Sequence, residues 1–104
     1  MPLPYVIGED AKAALNEIKE YYSGEFPSTG KRILKDLFAA FDRICQFPTA
    51  YEVIERYLPR EFRKKLVGER IVIYRIVEIE GVKSILIDQI VPGSWHYDKI
   101  LDLL

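Results

Sequence analysis

Glu61-Phe62-Arg63-Lys64-Lys65-Leu66-Val67, Gly68-Glu69 and Arg70-Ile71-Val72-Ile73-Tyr74-Arg75-Ile76-Val77-Glu78-Ile79 form the stretch whose reading decides the fold. The second run is rich in β-branched residues, which pack well on a pleated surface. Gly68-Glu69 between two such runs reads as a tight turn, so residues 61–67 and 70–79 make a β-hairpin. Glu80-Gly81 reads as the next turn and Ser84 to Val91 as a third strand, with Ile85 and Ile87 suited to burial. Strands that follow one another through short turns form an antiparallel meander. Pro92-Gly93 breaks it, and Tyr97 to Leu104 reads as a short terminal helix.

Upstream the period changes. Tyr5-Val6-Ile7 reads as a short strand ended by Gly8, with Glu9 or Asp10 as a helix N-cap. Ala11, Ala14, Leu15, Ile18, Tyr21 and Tyr22 recur at helical spacing, and Gly24 is placed to end that helix. Phe26 to Gly30 reads as a turn in which Ser28 or Thr29 caps a second helix. Ile33, Leu34, Leu37, Phe38, Phe41, Ile44 and Cys45 form the apolar stripe of that helix, stopped by Pro48. Two amphipathic helices joined by a short turn pack as an antiparallel hairpin. Pro59 ends an irregular segment before the meander. The expected order is β-α-α-β-β-β-α: an α+β fold with the N-terminal helix hairpin packed on one face of a small antiparallel sheet. No repeat, low-complexity tract or linker divides residues 1–104, so they are expected to form one domain.

The chain has 104 residues, 49% hydrophobic and 30% charged, a globular balance. A chain this short buries a modest core and leans on well-formed elements or on a partner. Its first residues carry neither a basic stretch nor an apolar run of signal-peptide kind, and its apolar runs are too short to span a bilayer. Cys45 is the only cysteine, which excludes an internal disulfide and fits a reducing cytoplasm. One cysteine and one histidine make no zinc site of the usual kind, and no cofactor is expected. Net charge is −1 but uneven: residues 55 to 75 hold seven Lys/Arg against three acids, and residues 1 to 30 hold two against five. A basic patch on a nearly neutral chain points to a local anionic partner rather than general nucleic-acid coating.

Several stretches resemble the RelE/ParE superfamily of bacterial type II toxin–antitoxin toxins, the plasmid stabilisation proteins among them. Ala14-Leu15, Ile18 and Tyr21-Tyr22 resemble the first helix of that family. Ala40-Phe41-Asp42-Arg43-Ile44 followed by Phe47-Pro48 resembles the end of the second. Phe62 to Gly68 with Arg70 to Ile76 resembles the central hairpin, and Ile85-Leu86-Ile87 the last strand. The resemblance covers nearly the whole chain and rests on the order and spacing of these pieces. It implies a growth-inhibiting toxin, a protein antitoxin as partner, and one of two targets. ParE-like members poison DNA gyrase by binding; RelE-like members cut messenger RNA on the ribosome.

The nuclease chemistry needs a phosphate-stabilising cation and proton carriers. The RelE branch implies Arg70 for the first, with Tyr97 and His96, as in YoeB-like relatives, for the second. The plainer reading is that Arg70 meets Glu69 or solvent and that Trp95, His96 and Tyr97 cover the sheet edge. Pro92-Gly93-Ser94-Trp95 stands where RelE nucleases often carry another basic residue, and the pI near 5.8 is low for a ribosome-entering nuclease. The reading taken is therefore a ParE-like gyrase inhibitor, with the ribonuclease and an inactive toxin-like binding protein as alternatives. Arg60, Arg63, Lys64, Lys65 and Arg75 are the expected anion- and partner-binding residues. An acidic antitoxin segment, helix or added strand, is expected to meet Arg60, Arg63 and Lys65. Asp88 is a candidate partner for a hairpin arginine. Cys45, on an apolar helix face, is expected as a small core residue, and the tyrosines at 21, 22, 51 and 57 in packing or partner contacts.

Overall fold

The computed structural model describes residues 2–94 and 96–104; Met1 and Trp95, the latter expected over the sheet edge, lie outside the described residues. The elements are β1 (Tyr5–Ile7), α1 (Glu9–Tyr22), α2 (Pro27–Gln46), β2 (Glu52–Val53), a 3-10 turn (Glu55–Tyr57), β3 (Arg63–Val67), β4 (Arg70–Ile79), β5 (Val82–Pro92) and α3 (Asp98–Leu101).

The helix ends differ from expectation for local reasons. Gly8, not an acidic residue, caps α1, and its carbonyl accepts from the Lys12 amide at 2.9 Å. Glu9 and Asp10 fall in the first turn, where carboxylates face the positive end of the helix dipole. Asp10 is also tied to the sheet, accepting a hydrogen bond from Gln89 Nε2 at 2.8 Å. Pro27 opens α2 at its first position, where a missing N–H costs nothing. The expected turn at 26–30 is therefore mostly the first turn of α2. The hairpin closes tightly at Gly30, which is buried, and a Cβ there would stand 2.7 Å from Tyr22 Cβ.

The sheet order is β1-β5-β4-β3-β2. β3 to β5 pair antiparallel as expected and β2 joins β3 antiparallel, but β1 pairs parallel to β5, Tyr5 opposite Ile85 and Ile7 opposite Ile87. The sheet is thus mixed rather than antiparallel. A three-residue strand carries no directional signal; its direction is set by the route the chain takes through the hairpin and meander. The two-residue β2, which pairs Glu52 with Lys64, lies in the segment expected to be irregular.

β4 serves two cores, because successive side chains point to opposite faces. Val72 and Tyr74 join Ile85, Ile87 and Ile90 under the hairpin, against Ala11, Ile18, Leu37, Phe41 and Ile44. Ile73 faces the other way and packs with Val91, Ile54, Tyr57, Phe62 and Leu101 of α3. A bulge falls where Ile73 opposes Gln89 but Tyr74 opposes Ile87, leaving Asp88 without a ladder partner. The expectation that the hairpin covers one face is met: Ile18, Leu37 and Phe41 are buried, whereas Phe38 of the same stripe is partly exposed and stands edge-on to Phe41. The second, smaller core has no counterpart among the sequence expectations.

Candidate functional site

The residues of the expected catalytic set stand on two faces of the sheet. Arg70 shares the face of Val72 and Tyr74, beneath the hairpin. It lines an open cleft with Ile18, Tyr21, Tyr22, Ile90 and Pro92, and forms no salt bridge among the described residues, Glu69 included. Tyr97 packs on the opposite face with the cluster of Ile73 and Leu101. Its phenol oxygen accepts a hydrogen bond from Lys64 Nζ at 3.1 Å. Lys64 stands opposite Ile73 in the ladder and also meets Glu52 at 3.6 Å. The bond to Tyr97 holds the Lys64 ammonium above its ordinary pKa. His96 is exposed at the start of the terminal turn, its carbonyl accepting from the Lys99 amide at 3.2 Å. The structure brings Lys64 and Tyr97 together and leaves Arg70 across the sheet.

The other expected cations divide into internal and surface groups. Arg63 is buried, and its guanidinium holds the loop after α2: Nη1 donates to the carbonyls of Tyr51 at 2.7 Å and Thr49 at 3.2 Å, and Nη2 to Glu61 at 2.7 Å. Its Nε is buried without a partner among the described residues. Tyr74 fixes the same loop by donating to the Pro48 carbonyl at 2.6 Å, and Lys65 Nζ stands 4.5 Å from the centre of the Tyr51 ring. Withdrawal from water pushes the Tyr74 phenol up to about 12. Arg75 forms the pair foreseen for Asp88, Nε at 2.7 Å and Nη2 at 3.2 Å, beside the Phe62 ring. Arg63 and Arg75 are therefore occupied within the fold.

Arg60 and Lys64 face the C-terminal segment, where they are joined by Arg56, which in the sequence stands out only as charge. Arg56 donates to Asp98 at 3.1 Å and to Asp102 at 3.2 Å. Arg60 donates to the Leu104 carbonyl at 2.6 Å. The Tyr57 hydroxyl donates to the Asp98 carbonyl at 3.0 Å, and burial, with the carboxylates of Asp102 and Asp98, pushes it up to about 12. The sequence does carry a signal for this arrangement: two aspartates four residues apart at 98 and 102, which a helix places on one side. It is hard to use because their partners lie some forty residues away, as at Arg56 and Asp98.

No helix among the described residues is long and apolar enough to cross a membrane. A helix hairpin seated on one face of a small sheet is the fold that the resemblance to the RelE/ParE superfamily implies. Residues 5–92 match the model of the ParE toxin of the type II toxin–antitoxin system parDE, and the chain belongs to that family. Membership implies a protein antitoxin as its partner. No curated protein matches the chain.

Proposed function

We propose that this toxin acts by binding, as an inhibitor of DNA gyrase, without cutting nucleic acid. The observation that carries the reading is the division of Arg70 from Tyr97 by the sheet. In-line cleavage of RNA needs a base, a phosphate-stabilising cation and an acid around one phosphate, within hydrogen-bond reach. Side chains on opposite faces of a sheet diverge, so Arg70 and Tyr97 do not converge on one phosphorus. Arg75 and Arg63, the other guanidiniums of the hairpin, are held by carboxylate and carbonyl groups of the fold.

The test uses the purified chain with gyrase and relaxed plasmid, and in parallel with translating ribosomes. The expected result is dose-dependent loss of supercoiling with intact messenger RNA. Charge reversal at Lys64 and Lys65 is expected to abolish inhibition, and Tyr97→Phe to leave it within about twofold, since removing one hydroxyl costs little where no proton is transferred. Messenger RNA cleavage that Arg70→Ala abolishes would overturn the reading.

One observation favours the ribonuclease alternative: the Lys64–Tyr97 hydrogen bond beside the exposed His96. An ammonium can hold a phosphate, and phenol and imidazole can move protons. On that reading Tyr97→Phe and His96→Ala each lower cleavage on the order of 100-fold. Full toxicity of both folded variants on induction removes it.

A further inference from the structure

The two ends of the sheet carry complementary surfaces that the fold itself leaves unpaired. At one end the helix hairpin closes on a cleft of about 260 Å³ lined by Lys19, Tyr22, Pro27, Gly30, Lys31 and Leu34. Ser23 also lines it, its hydroxyl donating to the Glu20 carbonyl at 2.8 Å. The floor is apolar and no carboxylate lines it. Neither lysine forms a salt bridge among the described residues. Two ammoniums around one apolar cleft repel each other, and an anion placed there relieves both. Tyr21 and Phe26, which adjoin the cleft in the chain, are 81% and 58% exposed. At the other end stands the turn between β4 and β5. Glu80 and Gly81 take φ of 50° and 78°, as a tight type I′ hairpin turn requires. Glycine, asparagine or aspartate would take the first of these positions at less cost than glutamate does. The turn presents Glu78 and Glu80 together with Ile79 and Val82, all exposed. Glu78 stands opposite Lys83 in the ladder but forms no salt bridge with it.

We propose that free copies of this chain associate head to tail, the β4–β5 turn of one copy entering the hairpin cleft of the next. Ile79 and Val82 then lie against Tyr22, Pro27 and Leu34, and Glu78 and Glu80 meet Lys19 and Lys31. The occupant is a second copy because the chain carries both halves of the match: aliphatic side chains between carboxylates at one end, an apolar cleft between ammoniums at the other. The turn does not reach the cleft of its own chain. β4 runs ten residues from Arg70, which shares a cleft with Tyr22, to Ile79, a span of roughly 30 Å. A copy engaged through its turn therefore still offers its cleft, and a heterologous contact of this kind adds copies until the rotation between them closes. One turn in one cleft falls below the roughly 1,200 Å² of a standard interface, so the association is weak. It is also weakened by salt, because the charges that guide it are exposed. The inference does not depend on which target the toxin poisons.

The experiment follows sedimentation velocity of the full chain at low salt, from about 1 µM to about 1 mM protein. The parent is expected to sediment faster as concentration rises. Two charge-reversed variants, Lys19→Glu/Lys31→Glu and Glu78→Lys/Glu80→Lys, are checked for fold by circular dichroism. Each is expected to associate at least about tenfold more weakly than the parent, since turn and cleft then carry like charge. An equimolar mixture of the two is expected to associate again, because contacts between unlike copies once more join opposite charges. Should either reversed variant fail to fold, Lys19→Gln/Lys31→Gln and Glu78→Gln/Glu80→Asn take their places with the same expected weakening; asparagine suits the left-handed turn position. A parent that stays monomeric at the highest concentration overturns the proposal, as does association unchanged in the variants. Loss in only one of the two reversed variants also overturns it, since turn and cleft would then not be each other's partners. So does a mixture of the folded reversed variants that sediments no faster than its components.

Discussion

Tyr74 shows how much one side chain carries. Its ring fills the core beneath the hairpin while its hydroxyl holds the Pro48 carbonyl at 2.6 Å. Tyr74→Phe keeps the ring and leaves that carbonyl without its donor, at an expected cost of about 1–2 kcal/mol in urea unfolding. The same phenol makes stability depend on alkali. In the unfolded chain a tyrosine ionises near 10, whereas Tyr74 and Tyr57 are each pushed up to about 12 in the fold. A raised acid favours the folded state only while it stays protonated there. The stability these two phenols contribute should be level below pH 10 and fall as pH rises from 10 to 12, and Tyr74→Phe should soften that fall. Denaturation midpoints at pH 9 and pH 11 check both statements. Arg75 is the second such residue: Arg75→Ala leaves Asp88, whose side chain is 11% exposed, without its partner, and should cost about 1–3 kcal/mol in the same assay.

The helix hairpin is the most legible element, because its two apolar stripes at helical spacing name the buried side chains directly. Phe41 is fully buried, and Phe41→Ala should cost about 3–5 kcal/mol in thermal or denaturant unfolding. Gly30→Ala should cost about 1–3 kcal/mol through overpacking, since its Cβ would meet Tyr22 Cβ at 2.7 Å and a Cβ cannot swing aside without its helix. The three long strands and their turns at Gly68 and Gly81 are also readable from alternation and turn residues. The parallel direction of β1, the two-residue β2 and the packing of α3 are not. Each depends on contacts between residues far apart in the chain, and local periodicity carries no record of such contacts. The candidate site divides the same way. Residue type singles out Arg63, Lys64, Arg75 and Tyr97 as chemically capable, but which of them the fold occupies is decided by Tyr51, Glu61 and Asp88.

At the scale of the molecule, β4 joins the two cores, so neither is expected to melt alone as the whole chain unfolds. Val72→Ala under the hairpin and Ile73→Ala under α3 should each lower one shared transition, the second by about 2–5 kcal/mol. Circular dichroism and tyrosine fluorescence should trace the same curve; two separated transitions would count against the linkage. Position along β4 also decides what a substitution disturbs. Val72, Tyr74 and Ile76 answer to the hairpin, while Ile71 and Ile73 answer to α3, and Arg75 lies beside Phe62. β4 is thus a wall shared by two rooms, and the parity of a residue number says which room its side chain furnishes.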